Sequence, residues 1–167
     1  MKIVHIAPAA PYNDYWGYQD NLLPKYHRKL GHDVTLIITN MMHMDGKIVE
    51  TSPADYYLKE GVRVIRLAKK QYVHHILTNL NAYLDVSDYL KEIRPDFIFY
   101  HGLVSSTIYQ VVEYKKKINP NCVIVQDNHL DYNIGSVCKS WKDLMIREFY
   151  RHIPFLPHSW WFRICPP

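Results

Sequence analysis

The chain is poor in glycine and cysteine, and it has no apolar run long enough to span a bilayer. Its six glycines form neither Gly-x-Gly-x-x-Gly nor a P-loop. Both motifs need glycine so that backbone can close around phosphate, so their absence argues against a nicotinamide enzyme and a P-loop nucleotidase. There is no Gly-x-Ser-x-Gly elbow, which removes support for a serine hydrolase. The three cysteines, Cys122, Cys138 and Cys165, are odd in number and widely spaced. No Cys-x-x-Cys pair suggests zinc or a disulfide framework, and a reducing, cytoplasmic setting fits best. Lys2 leads straight into a short apolar run, without the longer core of a signal peptide. The net charge of +4 is modest and comes with no basic stripe or recognition motif, so no nucleic acid is expected as a partner. Repeats and low-complexity segments are also missing.

What is present is a globular composition, with 48% hydrophobic and 22% charged residues. Residues 2–7 are an apolar strand closed by Pro8. Residues 14–40 then read as a loop around Gly17, an amphipathic helix and a second strand over 33–39. Leu22, Leu23, Tyr26 and Leu30 share one side of that helix and are its expected buried face. Pro24 fits only a first turn, so the helix starts near Asn21 or kinks there. Lys25, Arg28 and Lys29 favour its C-terminal end, Gly31 supplies a left-handed cap, and His27 and His32 flank that end as capping residues.

Residues 40–61 are a long mixed loop by this reading, and 62–67 form a third strand. A long helix is expected over 72–93, with Val73, Ile76, Leu77, Leu80, Leu84 and Ile93 inward and Pro95 ending it. Strands over 96–100 and 122–126 enclose a helix capped by Ser105 or Ser106, with Ile108, Val111 and Val112 inward. A further helix is expected over 139–151. Alternating strands and helices, with strands that are nearly continuous apolar runs, give an α/β fold: a Rossmann-like, doubly wound parallel sheet.

Ligands of such sheets bind at the carboxyl edge, so strand exits are the places to look for chemistry. The first strand ends in Ala7, Pro8, Ala9 and Ala10, which ligate no metal and carry no acidic cluster of the response-regulator kind. The loop lacks the serines and threonines of a flavodoxin phosphate site. His5 lies within the strand, buried or facing a helix. His101, beside Gly102 at a strand exit, can reach the cleft. The exit loop 127–133 carries Asp127, Asn128, His129 and Asp131. His129 is either a hydrogen-bonded loop residue or a group acting on a substrate hydroxyl. Without acidic or histidine ligands on the first strand, no metal site is assigned.

Four pieces, in order, resemble the amino-terminal domain of family 4 glycosyltransferases, which have the GT-B fold. They are the run 17–39 with its Leu30-Gly31-His32-Asp33-Val34-Thr35 core, residues 61–67, residues 94–102 and residues 123–131. The resemblance covers residues 1 to about 150 and implies one half of a two-domain retaining enzyme. Such enzymes move a sugar from a nucleotide-sugar co-substrate to an acceptor alcohol, here a glycan or lipid-linked acceptor, and need no other cofactor. The resemblance implies His129 as the catalytic residue. Gly17, Tyr18, Gln19, His101, Gly102, Asn128 and Asp131 become substrate-binding residues. The family commonly has two adjacent glycines in the first loop, whereas Tyr18 follows Gly17 here.

The nucleotide sugar would be held by a carboxyl-terminal donor domain with paired glutamates, and no such residue set is found in this chain. Residues 151–167, rich in proline and aromatics, therefore read as a truncated tail or linker toward that missing domain. Their aromatics, with Lys139, Lys142, Arg147, Arg151 and Arg163, pack on a partner domain or make peripheral contact with the inner face of a membrane. The competing function is a non-catalytic truncated α/β binding module.

Overall fold

The computed structural model describes residues 1–8, 11–71, 82–102 and 105–127, all within a compact unit formed by Met1–Asp127. Asn128, His129, Asp131, the helix expected over 139–151 and the tail lie outside the described residues.

The element order is β1 (Lys2–Ala7), α1 (Gln19–Lys29), β2 (Asp33–Thr39), β3 (Met41–Met44), β4 (Lys47–Glu50), β5 (Ala54–Tyr57), β6 (Arg63–Leu67), β7 (Lys70–Gln71), β8 (Ala82–Tyr83), α2 (Ser87–Ile93), β9 (Phe97–Tyr100), α3 (Ile108–Lys117) and β10 (Val123–Gln126). Six strands form one sheet in the order β10-β9-β1-β2-β6-β5. All neighbours are parallel except β5, which runs antiparallel to β6 at one edge. The fold is thus α/β with a mostly parallel sheet, and its five parallel strands follow the Rossmann-like order. β1 is central because every residue from Ile3 to Ala7 is buried, as both faces of a parallel sheet must be.

Strand parity sorts the core into two layers. Val4, Ile6, Ile37, Ile65, Ile98 and Tyr100 face α3 and the stretch around α2, meeting Leu84, Val86, Leu90, Ile108 and Val111. Ile3, Ala7, Val34, Leu36, Ile38 and Val64 pack with Tyr12 and Val62 on the other side. His5 shares the parity of Ile3 and Ala7, and its register partner on β9 is Phe99. Phe99 and His101 share one parity in turn. Three rings therefore lie on a single face of the sheet.

Several sequence expectations change. The helix α1 begins at Gln19, and Pro24 lies buried inside it rather than in its first turn. Proline there costs one backbone bond, and its burial fills space under the helix. The inward residues of α1 are Asn21 and Pro24, whereas Leu22, Tyr26 and Leu30 are exposed; only Leu23 of the expected face is half-buried. Residues 40–61 are not an irregular loop. They hold the β3–β4 hairpin and β5, with Asp45 and Gly46 both at positive φ (50° and 73°), as a two-residue hairpin turn requires.

Of the helix expected over 72–93, residues 72–81 lie outside the description, 82–83 form β8, and α2 covers only Ser87–Ile93. Its start is set from another element. The Gln110 side-chain oxygen accepts the Val86 and Ser87 N–H groups (2.8 and 2.9 Å), while Gln110 Nε2 donates to the Leu84 carbonyl (3.0 Å). These bonds fix the chain just ahead of the helix, where Val86 at the N-cap already has φ −104° and ψ −4°. Leu84 and Ile93 still face the core as expected. The N-cap of α3 is Thr107, not Ser105 or Ser106, and it makes no side-chain cap bond. Ile108 and Val111 are buried as expected, and Val112 packs against the same core.

Candidate functional site

The strand order reverses at β1: β2 and β6 lie on one side, β9 and β10 on the other. Crossover segments diverge at such a point and leave a crevice beyond the carboxyl ends of the strands. The backbone continues the ladder just past those ends, with His101 N–H donating to Ile6 O (2.8 Å) and Asp127 N–H to Tyr100 O (3.2 Å). This pins His101 and Asp127 side by side at the switch point.

The side chains then converge. His101 Nδ1 lies 3.1 Å from Asp127 Oδ2 and 3.1 Å from Asp20 Oδ1 in the first turn of α1. Asp127 Oδ1 accepts the Gly102 N–H (3.0 Å), and Asp127 Oδ2 accepts from Gln19 Nε2 (3.2 Å). Gly102 has φ +84°, a conformation glycine adopts without strain, and this aims its N–H at the carboxylate. Gln126 Nε2 donates to the Gly102 carbonyl (2.7 Å), holding the loop from behind.

His101 is buried, and its second nitrogen is also engaged. Nε2 of His101 lies 3.0 Å from His5 Nδ1, and His5 Nε2 lies 2.9 Å from His27 Nδ1. His5 is fully buried and stacks on Phe99 (5.5 Å between centroids, 18° between planes). Burial holds its pKa well below the ordinary 6.5, and the neighbouring His101 and His27 push the same way. Half-buried His27 is also lowered, through desolvation and then His32 and His101.

His27 therefore does not cap α1 through its side chain. Only its backbone carbonyl serves the helix end, accepting the His32 N–H (3.2 Å). The ring points at the sheet because residues 20, 24 and 27 recur at helical spacing on one face. That face of α1 is polar because it covers polar rings.

The sequence-predicted site residues thus divide. Gln19, His101 and Gly102 come together, and Asp20, Asp127, His5 and His27 join them. Gly17 and Tyr18 are exposed just before α1, and Tyr18 is its N-cap without a side-chain cap bond. Asp20 and His27 stand on the same face of α1 as buried Pro24, a face that the spacing of Leu22, Tyr26 and Leu30 does not mark as inward. Among the described residues no three His, Cys, Asp or Glu side chains are disposed to hold a metal ion. An open cleft lined by Leu22, Lys25, Tyr26, Arg28 and Glu60 runs along the outer side of α1 and shares no residue with this cluster. No helix among the described residues is long and apolar enough to cross a membrane.

No family model matches the chain, and no curated protein matches it. Two partly buried carboxylates at the crevice present acceptor lone pairs and negative charge. Such a surface receives hydroxyl hydrogens and disfavours phosphate.

Proposed function

We propose that the chain supplies the acceptor-binding half of a retaining glycosyltransferase of the GT-B kind. The observation that carries this reading is the pair Asp20 and Asp127, both against His101 Nδ1 at the carboxyl edge of the sheet. Carboxylates are strong acceptors for the hydroxyls of a sugar or lipid-linked glycan, and bonds to a charged acceptor are worth about 1.5–3 kcal/mol each. The same charges repel a diphosphate. An acidic crevice thus suits the acceptor, with the nucleotide sugar left to a second domain. The ordered sequence resemblance and the Rossmann-like strand order support the same assignment. His129 is the residue proposed to orient the reacting hydroxyl.

Backbone NMR with short hexose oligosaccharides, and separately with nucleoside diphosphate sugars, tests the reading. Oligosaccharides are expected to move the Gln19, Gly102 and Asp127 amide signals. Asp127→Asn is expected to weaken that binding about tenfold. Shifts caused only by the nucleotide compounds, or none at these amides, would overturn it. Glycan binding by a full-length protein that transfers no sugar would leave a binding module.

A further inference from the structure

The three histidines form a continuous hydrogen-bonded file under α1. It starts at half-buried His27 in the last turn, passes through fully buried His5 and ends at His101 against two carboxylates. Asp20 and His27 are seven residues apart on one helix, so the file spans about 10 Å beneath it. We propose that this file is a proton relay, which carries a proton from solvent at His27 to His101 and so sets the charge of the crevice from the far end of α1.

The bonding leaves two consistent states. A carboxylate only accepts, so His101 Nδ1 carries hydrogen in both. With His101 neutral, its Nε2 accepts from His5 Nδ1–H, and His5 Nε2 accepts from His27 Nδ1–H. Now add one proton at His27 Nε2. The His27 Nδ1 hydrogen passes to His5 Nε2, and the His5 Nδ1 hydrogen passes to His101 Nε2. His27 and His5 end neutral, each with its hydrogen on the other nitrogen. His101 ends as an imidazolium between Asp20 and Asp127. One proton has entered, one charge has appeared, and both histidine–histidine bonds have reversed without breaking.

The surroundings fit each station. Among the described residues the rings His5 meets are Phe99, His27 and His101, and burial disfavours a resident charge there. Among the described residues, the charged or titratable groups facing the file include Asp20 from α1, Asp127 after β10 and His32 before β2, whose ring lies 6.3 Å from His27. At the far end of the file, His101 Nδ1 lies between the two carboxylates, 3.1 Å from each. The entry point lies in the last turn of α1, where the helix dipole favours an arriving cation.

The relay makes a signature prediction that needs no substrate. In a ¹⁵N-histidine NMR titration, His5 is expected to stay neutral throughout while its hydrogen moves from Nδ1 to Nε2 in step with the protonation of His101. His27→Phe keeps a ring over the sheet but removes the nitrogen that exchanges with His5. In this variant the His5 tautomer change is expected to vanish, and solvent exchange of the His101 ring hydrogen is expected to slow by about an order of magnitude. If the phenylalanine ring disrupts the fold, His27→Ala with added imidazole is the second test, and imidazole is expected to restore exchange. A His5 that keeps one tautomer while His101 titrates, or that itself becomes charged, overturns the proposal. So does unchanged exchange in a folded His27 variant. None of these readouts depends on sugar binding.

Discussion

Arg66 on β6 reaches back to Asp14 in the first loop, with Nη2 and Oδ1 3.0 Å apart. The guanidinium is buried, donates also to the Tyr56 hydroxyl (2.9 Å) and the Tyr12 carbonyl (3.2 Å), and lies over both tyrosine rings. Tyr56 in turn donates to Asp14 (2.8 Å), and burial followed by that bond pushes its pKa up to about 12. The loop that leads from β1 to the site is therefore anchored to a strand two places away in the sheet.

Removing the carboxylate leaves a buried cation with one fewer acceptor. Asp14→Ala is expected to cost about 2 kcal/mol, because the desolvated guanidinium and the Tyr56 hydroxyl both lose a partner. The midpoint of urea unfolding measures this. Arg66→Met in the same background should recover part of the loss, since it removes the stranded charge. No recovery would show that the loop is held by other contacts.

Stability should fall on the acid side. The folded pKa of His5 is below 6.5, so above that value folded and unfolded chains both carry a neutral ring, and the stability is fully present. As pH drops below 6.5 the unfolded chain takes up a proton that the fold refuses, and stability declines through the folded pKa. The slope from this fully buried ring approaches about 1.4 kcal/mol per pH unit. His27, lowered in the same direction but more exposed, adds less. Urea melts at several pH values, compared with His5→Leu, check this, and the variant should show the shallower slope.

Gly102 offers a test of the site's backbone. Its φ of +84° suits glycine, while a Cβ there would meet no neighbouring atom within 4 Å. The cost of Gly102→Ala is therefore conformational, about 1–2 kcal/mol, with no clash added. Relaxing that strain turns the N–H away from Asp127. Thermal unfolding reads the first effect. Loss of the slow hydrogen exchange expected for the Gly102 amide reads the second.

The sheet was largely legible in the sequence. β1 and β2 are apolar runs bounded by Pro8 and Gly31, and two buried faces leave such segments little alternative. Gly31 itself adopts the left-handed φ of +87° that a helix end asks for. The face of α1 departs from its pattern, since apolar residues at helical spacing normally turn inward. Here Leu22, Tyr26 and Leu30 stay outside, and Asp20, Pro24 and His27 cover a strand that carries histidine at a core position. Local periodicity cannot report what a distant strand presents. The start of α2 was hidden for a similar reason, since Gln110, over twenty residues later, supplies its cap. The Asp45-Gly46 pair carries a two-residue hairpin signal within the segment expected as a loop. Of the site, His101, Gly102 and Gln19 could be picked from strand and helix ends. The link from His5 to His27 could not, because it needs the fold to bring their rings together.

The outer strand β5 has a consequence for how the molecule behaves in company. A parallel sheet that simply stopped at β6 would offer a row of unpaired backbone groups to any passing extended chain. Four antiparallel residues cover that row instead, and they are short, mostly exposed, and charged through Asp55, which Arg63 holds at 2.7 Å. Short charged borders of this sort discourage strand-to-strand association between copies. At crowded concentrations this margin of the sheet should resist recruitment into aggregates.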